Sequence, residues 1–228
     1  HARLMIGDAS TAFRHAPLLA DRKFYLIPPA TEHVGNELWH LRKALYGLRE
    51  SPRWFQEHLS HVAEAHGGIR LLTDPQLFLH PATNSVMSVF ADDLLILVCE
   101  QKAEEVRHTL DEDLKLKWTE FIGPNWTRYL GQAWRDKGDG TFEVRVPPKY
   151  GQGLLEESGL ADTRLAATPI DMGREKHEDD TAILDPEQHA SFRRYVGKIL
   201  YAAQVRPDVA YAIKELARRV AQPTENDM

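Results

Sequence analysis

Two adjacent aspartates, Asp92 and Asp93, lie between two apolar runs in the stretch SVFADDLLILVC, residues 88–99. A buried carboxylate is costly unless a partner compensates it, and two neighbouring negative charges also repel each other. The apolar runs are typical of two strands, so the aspartates and Ala91 are predicted to lie at or near a tight hairpin turn. A third carboxylate, Asp8, follows another short apolar run, RLMIG.

Three carboxylates at strand ends are suited to holding divalent metal ions. Magnesium prefers oxygen ligands, usually one or two carboxylates together with substrate phosphates. Two such ions, about 3.5–4 Å apart, can clamp the attacking and leaving oxygens of a phosphoryl displacement. The charge of the metal would also offset the repulsion between the carboxylates. The residue pattern therefore predicts Asp8, Asp92 and Asp93 as metal ligands. An aspartate pair alone is a weak signal, and Asp179-Asp180 is a second such pair in a polar stretch.

The composition is that of an ordinary globular protein. The chain has 228 residues, 43% of them hydrophobic and 27% charged, which suits one large domain or two small ones. No apolar run approaches the roughly 20 residues of a membrane span, so we expect no membrane partner. No secretory signal is visible at the start, and the single Cys99 cannot form an internal disulfide, so we expect an intracellular protein, in a cytoplasmic particle or the nucleus.

Charge is distributed unevenly along the chain. The net charge of −6 argues against a protein that simply coats nucleic acid. Basic residues nevertheless concentrate in residues 38–55 and 192–220, whereas acidic residues concentrate in 100–113 and 175–187. Local basic surfaces can bind phosphate while the total charge stays negative. The alternative is that these segments are simply solvated helix faces.

The order of the predicted elements is strand, strand, helix, hairpin, helix, hairpin and then helices. This order predicts an α+β fold rather than a parallel βαβ array. The first predicted elements are strands at 3–7 and 23–29, a segment at 37–47 that begins as a strand and turns helical near Arg42, and a helix capped by Ser51 and stopped at Gly67. Strands at 85–90 and 94–99 and a helix at 103–117 follow, and residues 127–146 are predicted to form a strand, a Gly-rich turn (137–140) and a return strand. The last elements are a helical segment at 148–160, a linker or long loop at 167–187, and helices at 191–205 and from Pro207 to before Pro223.

Five motifs occur in order and together carry a family resemblance. They are DASTAF (8–13), LRKALYGLRESPRWF (41–55), FADDLLILV (90–98), YLG (129–131) and YVGKILYAAQVRPDVAYAI (195–213). With them the chain closely resembles, over essentially its whole length, the reverse transcriptase of copia-type LTR retrotransposons. The resemblance implies a right-hand polymerase, with palm, fingers and thumb. It also implies DNA synthesis on an RNA or DNA template from dNTPs, with two Mg²⁺ or Mn²⁺ ions.

The resemblance also implies a domain organisation. Residues 1–135 would form the palm, an antiparallel sheet backed by helices, with a partial fingers insertion at about 18–60. Residues 136–166 would form a thumb-proximal hairpin and helix, 167–190 a linker, and 191–228 a helical thumb or connection segment. The chain does not begin with Met and starts seven residues before Asp8. We therefore expect a fragment that lacks the upstream fingers and the ribonuclease H domain, and that is weak or inactive alone. Ribonuclease H and integrase domains of a parent polyprotein are the expected partners, beside the template-primer and dNTPs.

The catalytic roles carry over onto the three aspartates. Asp8 matches the first catalytic carboxylate of the family, and Asp92 and Asp93 match the pair of its Tyr-x-Asp-Asp box. By the resemblance, Asp8 and Asp92 are the principal bridging ligands and Asp93 is more peripheral. Phe90 replaces the usual Tyr of that box and Ala91 replaces a commonly larger residue. Neither departure touches the metals.

Further residues match the family's nucleotide-binding segment. Phe13 matches the aromatic residue that would clash with the 2′-OH of a ribonucleotide, although a core Phe is the alternative. Tyr46 and Gly47 match nucleotide-binding positions, and Gly47 would allow close backbone approach.

The remaining matches concern the template, the primer and a proton donor. Template or primer contacts are expected from Arg49, Ser51, Pro52, Arg53, Tyr129, Leu130 and Gly131. Ser51-Pro52 reads equally well as no more than a helix start. Lys117 falls near a lysine that can protonate the leaving pyrophosphate, but its alignment needs an insertion.

Three hypotheses follow. The first is the polymerase domain just described. The second is a catalytically inactive relic that keeps the fold and nucleic-acid binding. The third is a structural or partner-binding use of the fold, which would not require the three aspartates to converge.

Overall fold

The computed structural model describes residues 2–18, 22–32, 35–163, 166–169 and 182–227. Its strands are β1 (Ala2–Ala9), β2 (Tyr25–Leu26), β3 (Trp39–His40), β4 (Ile69–Arg70), β5 (Leu77–His80), β6 (Ser85–Phe90), β7 (Asp93–Cys99), β8 (Leu116–Trp118), β9 (Thr127–Tyr129), β10 (Gln132–Asp136) and β11 (Phe142–Arg145). Its helices are α1 (Ser51–Ala65), α2 (Ala103–Leu114), α3 (Pro148–Glu157), α4 (Pro186–Ala203) and α5 (Ala210–Arg219). The predicted α+β class is confirmed. Over the described ranges, no helix combines the length and the apolar character that crossing a membrane requires.

A six-stranded antiparallel sheet organises the first part of the chain. Its strand order is β4-β5-β6-β7-β1-β8, so β1 lies between β7 and β8. Residues along β7 alternate between buried and half-buried, which is the pattern of a sheet with one face in the core. The buried face packs with α1 and α2 in one cluster that includes Phe55, Leu59, Leu94, Ile96 and Leu110. The sheet is thus backed by helices on one face, as predicted.

The chain divides into two compact units. The first comprises residues 1–130 and 135–142, and the second 131–134 and 143–228. The second unit has a small core of its own, formed by Leu184, Phe192, Val196 and Ile213. The boundaries of palm, fingers and thumb stay predictions, and residues 170–181 of the predicted linker lie outside the described part.

Helix α4 begins five residues earlier than predicted. The sequence pattern predicts a start at Ser191, whereas the helix begins at Pro186. The Asp185 side chain accepts hydrogen bonds from the backbone N–H groups of Glu187 and Gln188, and the Gln188 side-chain oxygen accepts one from the Asp185 backbone N–H. This capping box, followed by a proline in the first turn, extends the helix beyond its apolar pattern.

The prediction of a helix near Arg42 was wrong. Residues 41–50 are turns and bends without a helix. Long-range pairing prevails over helix propensity here, since Lys43 forms a β-bridge with Pro17 and the Ala44 N–H donates to the Ala16 carbonyl at 3.1 Å. The predicted strand at 23–29 is reduced to β2.

The helix predicted over 103–117 also ends early. Helix α2 stops at Leu114 because Lys115 adopts a left-handed conformation, with φ of 47°. The residues that follow form β8 and pair with β1 instead. Strands β4 and β5 were not predicted.

The region 127–146 contains three strands rather than the two predicted. Its strand order is β11-β10-β9. A turn at Leu130 and Gly131, with φ of 47° and 79°, separates β9 from β10. Two consecutive positive φ values match the type I′ turns that favour two-residue hairpins.

Candidate functional site

Strand register brings three charged site residues into one row. Asp8 of β1 lies directly opposite Asp93 of β7 on one side and opposite Lys117 of β8 on the other. Directly opposed residues in antiparallel strands have Cβ atoms about 4.5–5.5 Å apart, on the same face of the sheet. We call Asp93, Asp8 and Lys117 the Asp8 row. Lys117 thus stands beside Asp8, although the sequence alignment placed it there only with an insertion.

The Asp8 row lies on the sheet face that points away from α1 and α2. Met5 and Ala9 of β1 belong to the core shared with those helices. Because side chains alternate along a strand, Asp8 points to the opposite face. The same alternation applies to β7, where Leu94 is buried on the helix side. Asp8 is exposed and Asp93 is half-buried, so the row is accessible to solvent.

Asp92 reaches the same neighbourhood through a tight turn. Phe90 pairs with Asp93, so Ala91 and Asp92 form a two-residue connection between β6 and β7. Ala91 adopts φ of 55°, and the Asp92 carbonyl accepts a 2.9 Å hydrogen bond from the Ala9 N–H. That bond ties the turn to the end of β1. The predicted hairpin turn is confirmed.

The electrostatics of the site reflect this proximity. Burial raises the pKa of the Asp93 carboxyl, and the charges of Asp92 and Asp8 raise it further. Burial also raises the pKa of Tyr129 to about 12, with an added contribution from the charge of Asp93. Tyr129 of β9 is therefore an un-ionised phenol at neutral pH and lies within electrostatic reach of Asp93.

The chemistry of these side chains fits a divalent cation. Three carboxylates on neighbouring positions supply the oxygen ligands that Mg²⁺ prefers, and their mutual repulsion is what a cation would relieve. Among the described residues, no three His, Cys, Asp or Glu side chains are already arranged to hold one metal ion. The donors fit in type and neighbourhood, and the three carboxylates would need to turn toward a shared ion.

An open groove of about 510 Å³ borders the β6–β7 turn. It gathers four residues that the sequence assigned to nucleotide or template binding, namely Phe13, Arg49, Pro52 and Arg53. Phe90 and Ala91, which lead directly into Asp92, also line it. Two residues of the groove wall therefore immediately precede the Asp92-Asp93 pair in the sequence.

Phe13 forms part of the groove wall and is held by other rings. It lies in a short 3₁₀ helix after β1 and is half-buried. Its ring centroid is 4.5 Å from that of Tyr46 and 6.2 Å from that of Phe55. Tyr46 is exposed, and Gly47 beside it has φ of 96° with no atom within 4 Å of a Cβ built on it. Gly47 is therefore required by its backbone conformation, and no described side chain crowds it.

Ser51 has a different role from the predicted helix cap. The N-cap of α1 is Glu50, and Ser51 is the first helical residue. The Ser51 side chain is fully buried, and its hydroxyl donates to the Leu45 carbonyl at 2.6 Å. The prediction that Ser51 caps α1 was wrong, because its hydroxyl bonds to the Leu45 carbonyl and thereby holds the 45–51 loop. Pro52 and Arg53 are exposed, and Arg53 forms an ion pair with Glu57 at 2.8 Å.

Strained backbone concentrates around the site. Five described non-glycine residues have positive φ; Asn84 lies in the β5–β6 turn, and the other four, with φ between 47° and 55°, are Thr11, Ala91, Lys115 and Leu130. Each of these four lies within three residues of Asp8, Asp92, Lys117 or Tyr129. Such conformations persist only where the surrounding structure enforces them, and they cluster at functional sites.

Two groove residues were missed by the sequence analysis. Gln56 and Gln76 line the groove with polar side chains. Helical spacing could have revealed Gln56, because it follows Pro52 by four positions on α1. Gln76 had no local signal. Its position depends on long-range pairing, in which the Val89 N–H donates to its carbonyl at 3.0 Å.

Fold and site together define an α+β protein in which an antiparallel sheet, backed by helices, carries an aspartate row on the face opposite those helices. Residues 4–172 match the family model described as "Reverse transcriptase (RNA-dependent DNA polymerase)". The chain therefore belongs to the reverse transcriptase family, whose members are RNA-directed DNA polymerases. The resemblance drawn from the sequence is confirmed.

Curated relatives agree with this membership. The chain is 27% identical to the retrovirus-related Pol polyprotein from transposon RE2 of Arabidopsis thaliana, over 96% of the chain and 15% of the relative. It is 26% identical to the corresponding RE1 polyprotein of the same plant, over 97% of the chain and 15% of the relative. The putative transposon Ty5-1 protein of Saccharomyces cerevisiae is 23% identical, over 95% of the chain and 70% of that protein. The chain thus spans about 15% of the length of the two plant relatives.

Proposed function

We propose that this chain is the palm and part of the fingers of a retrotransposon reverse transcriptase, followed by helical thumb or connection segments. Its reaction would be the addition of a dNTP to the 3′ end of a primer, directed by an RNA or DNA template. The observation that carries the proposal is the placement of the Asp8 row and Asp92 next to a groove lined by Phe13, Arg49 and Arg53.

The aspartates would hold two Mg²⁺ or Mn²⁺ ions. When bound, such ions polarise the phosphoryl oxygens and stabilise the attacking and leaving oxygens. The contribution of the chain is to fix the carboxylates. Asp8 and Asp93 are held by the register of β1 and β7, and Asp92 by the bond from Ala9 to its carbonyl. A sheet-borne site of this kind is more rigid than one carried on loops.

The groove would bind the incoming nucleotide and the template base. Arg49 and Arg53 supply positive charge for phosphates, since basic side chains position nucleic acid through its backbone. Phe13, held between Tyr46 and Phe55, would present a ring at the sugar and exclude a 2′-OH. Lys117 stands beside Asp8 at the exposed end of the row, where an ammonium group could donate a proton to the leaving pyrophosphate.

The names of the plant relatives support a polyprotein context. Both are Pol polyproteins of transposons, so we propose that this chain acts as one segment of a larger polyprotein, with ribonuclease H and integrase domains as its partners.

A second candidate is a relic that binds nucleic acid without polymerising. The observation that favours it is that no three metal-ligating side chains converge within the described ranges. The two candidates share the fold and the groove, and differ only in whether the carboxylates assemble a metal site.

Primer extension decides between them. The purified chain and a longer Pol segment that contains it would each be compared with their Asp92→Asn variant and an Asp162→Asn control, on a primed RNA template with Mg²⁺ and with Mn²⁺. Asp162 is exposed in unit 2. We expect Asp92→Asn to lower the incorporation rate by about 10²–10³-fold, the typical cost of removing one electrostatic stabiliser of a transition state. The Asp162→Asn variant should match the unmodified chain.

Two results would overturn the polymerase proposal. Primer extension by the Asp92→Asn variant at the rate of the unmodified chain would show that the aspartates do not take part in the reaction. Tight template-primer binding without extension, both by the chain and within a longer Pol segment, would establish the relic.

A further inference from the structure

The β2–β3 ribbon exposes apolar and aromatic side chains that the fold does not use. Tyr25 is 54% exposed, Ile27 76% and Leu38 57%, and Trp39, on the other face of the ribbon, is 46% exposed. Isolated exposed apolar side chains are common, but a contiguous group of them marks an interaction surface. The exposed apolar side chains of the ribbon therefore indicate a surface that binds a partner.

One face of the ribbon is anchored and the other is free. Phe24 packs edge-to-face on Trp54 of α1, with ring centroids 5.6 Å apart. Tyr25 pairs with His40 across the ribbon, and alternation places both on the face opposite Phe24. Their rings are stacked, with centroids 5.1 Å apart and planes inclined by 29°. The ribbon thus displays a flat aromatic pair on a fixed base.

Positive charge flanks this aromatic pair. The pairing of the two ribbon strands continues beyond Tyr25 and His40, since the Leu41 N–H donates to the Phe24 carbonyl at 2.9 Å. By alternation, Lys23 and Arg42 then lie on the same face as Tyr25 and His40. Both are exposed, and neither forms an ion pair with any residue in the described ranges. We call Lys23, Tyr25, His40 and Arg42 the stacking face. The acidic residues nearby, Glu32 and Glu37, lie in the connection between the two strands.

We propose that the stacking face binds single-stranded nucleic acid, which under the function proposed above is the template ahead of the nucleotide site. Proteins that hold single strands without sequence preference combine aromatic platforms for the bases with cations along the backbone. The stacking face has both, on a ribbon that is anchored to α1.

The path of the chain supports this assignment. Tyr46 follows His40 by only six positions, and Tyr46 contacts Phe13 in the wall of the groove. Six residues span at most about 20 Å. A template strand that leaves the groove can therefore reach the stacking face within a few nucleotides.

Self-association is the competing explanation for an exposed apolar ribbon. A two-fold interface would place the same patch of both copies together. Lys23 and Arg42 of one copy would then lie near the same cations of the other, and juxtaposed like charges oppose association. Phosphate groups complement these cations, so the charge pattern favours nucleic acid.

Fluorescence anisotropy with labelled 15-nucleotide dT and rU strands tests the proposal on the full chain. We expect Tyr25→Ala to weaken binding by about 5- to 150-fold, the range measured for removal of one stacking aromatic. Tyr25→Phe keeps the ring and should bind as the unmodified chain does. Trp39→Ala removes an exposed ring from the opposite face and should also leave binding unchanged. The double variant Lys23→Gln/Arg42→Gln should lower the salt slope of log K by about 0.7 per cation removed.

Three results would overturn the proposal. Unchanged binding by Tyr25→Ala would remove the stacking face from nucleic-acid binding. An equal loss by Trp39→Ala would show that the ribbon matters only for folding. A concentration-dependent dimer in sedimentation, abolished by Tyr25→Ala while strand binding is unchanged, would establish self-association instead.

A second assay separates this proposal from the polymerase function. On a template with a one-nucleotide overhang, the strand ends before the ribbon, so Tyr25→Ala should extend the primer normally. On a long overhang the same variant should need more template for half-maximal rate. The anisotropy result stands whether or not the chain polymerises.

Discussion

The Ala91-Asp92 turn and the Leu130-Gly131 turn each join two strands through two residues, yet they are held in different ways. The first connects strands of six and seven residues inside the six-stranded sheet, and only Ala91 has a positive φ. The second connects strands of three and five residues, and both of its residues have positive φ. Long paired strands can impose a strained turn on an alanine, whereas the turn between the short strands takes a glycine, Gly131, at its second position, where positive φ costs little.

The largest effect that would test this difference is expected from Gly131→Ala. Gly131 has φ of 79°, and a Cβ built on it lies 2.7 Å from the Tyr201 Oη. The Tyr201 ring is itself packed against Tyr150, with centroids 5.1 Å apart, so it cannot move without losing that contact. We expect a loss of about 2–3 kcal/mol in the free energy of unfolding, measured by urea titration with tryptophan fluorescence.

Gly47→Ala is the matched control for that substitution. Gly47 has φ of 96° but no atom within 4 Å of a built Cβ, so the variant carries the backbone strain without the steric clash. It should lose only about 1 kcal/mol. Equal losses at the two positions would show that Tyr201 does not constrain the Leu130-Gly131 turn.

The sequence was most informative where local pattern and long-range structure coincide. Alternating burial along β6 and β7 matches two apolar runs, so the hairpin that carries Asp92 and Asp93 was predictable. The proline and apolar spacing of α1 predicted that helix in the same way. Asp8 is directly opposite Asp93 only because β1 lies between β7 and β8, and no local pattern reports strand order.

The sequence was least informative where tertiary pairing overrides local preference. The segment after Arg42 has helix-forming residues, but Ala44 pairs with Ala16 instead. Lys117 was predicted to lie in a helix. Helix α2 instead ends at the left-handed Lys115, and Lys117 lies in β8 beside Asp8. The groove residue Gln76 is positioned by a partner 13 residues away in the chain, Val89. These positions depend on contacts that propensity does not encode.

A smaller effect is expected at the third site-bearing turn, the 45–51 loop. Ser51→Ala removes the hydroxyl that donates to the Leu45 carbonyl at 2.6 Å within the core. The Leu45 carbonyl keeps a 3.3 Å hydrogen bond from the Leu48 N–H, so the variant loses one buried hydrogen bond, which costs about 1 kcal/mol in unfolding free energy. Urea titration would measure it.

Ser60→Ala provides the comparison within the same helix. Ser60 is also buried, but its hydroxyl donates to the Gln56 carbonyl four residues earlier at 2.8 Å. That carbonyl already has a helical partner, so we expect a change below about 0.5 kcal/mol. A loss at Ser60 as large as that at Ser51 would mean that the loop is not fastened by the Ser51 hydroxyl.

The smallest expected effect, and the only gain, comes from Ala91→Gly. Ala91 has φ of 55°, which costs a non-glycine residue about 1–2 kcal/mol. Glycine removes that strain but adds about 0.5–1 kcal/mol of backbone entropy in the unfolded chain. We therefore expect a net gain of less than about 1 kcal/mol in unfolding free energy.

Asn84→Gly is the corresponding control, because Asn84 has φ of 50° in the β5–β6 turn and asparagine tolerates that conformation. It should show no gain. If Ala91→Gly gains stability and Asn84→Gly does not, the strain lies specifically in the turn that presents Asp92, where the paired strands of the sheet enforce it. Equal responses would instead make the Ala91 turn an ordinary one, and the contrast with the Leu130-Gly131 turn would then rest on Gly131 alone.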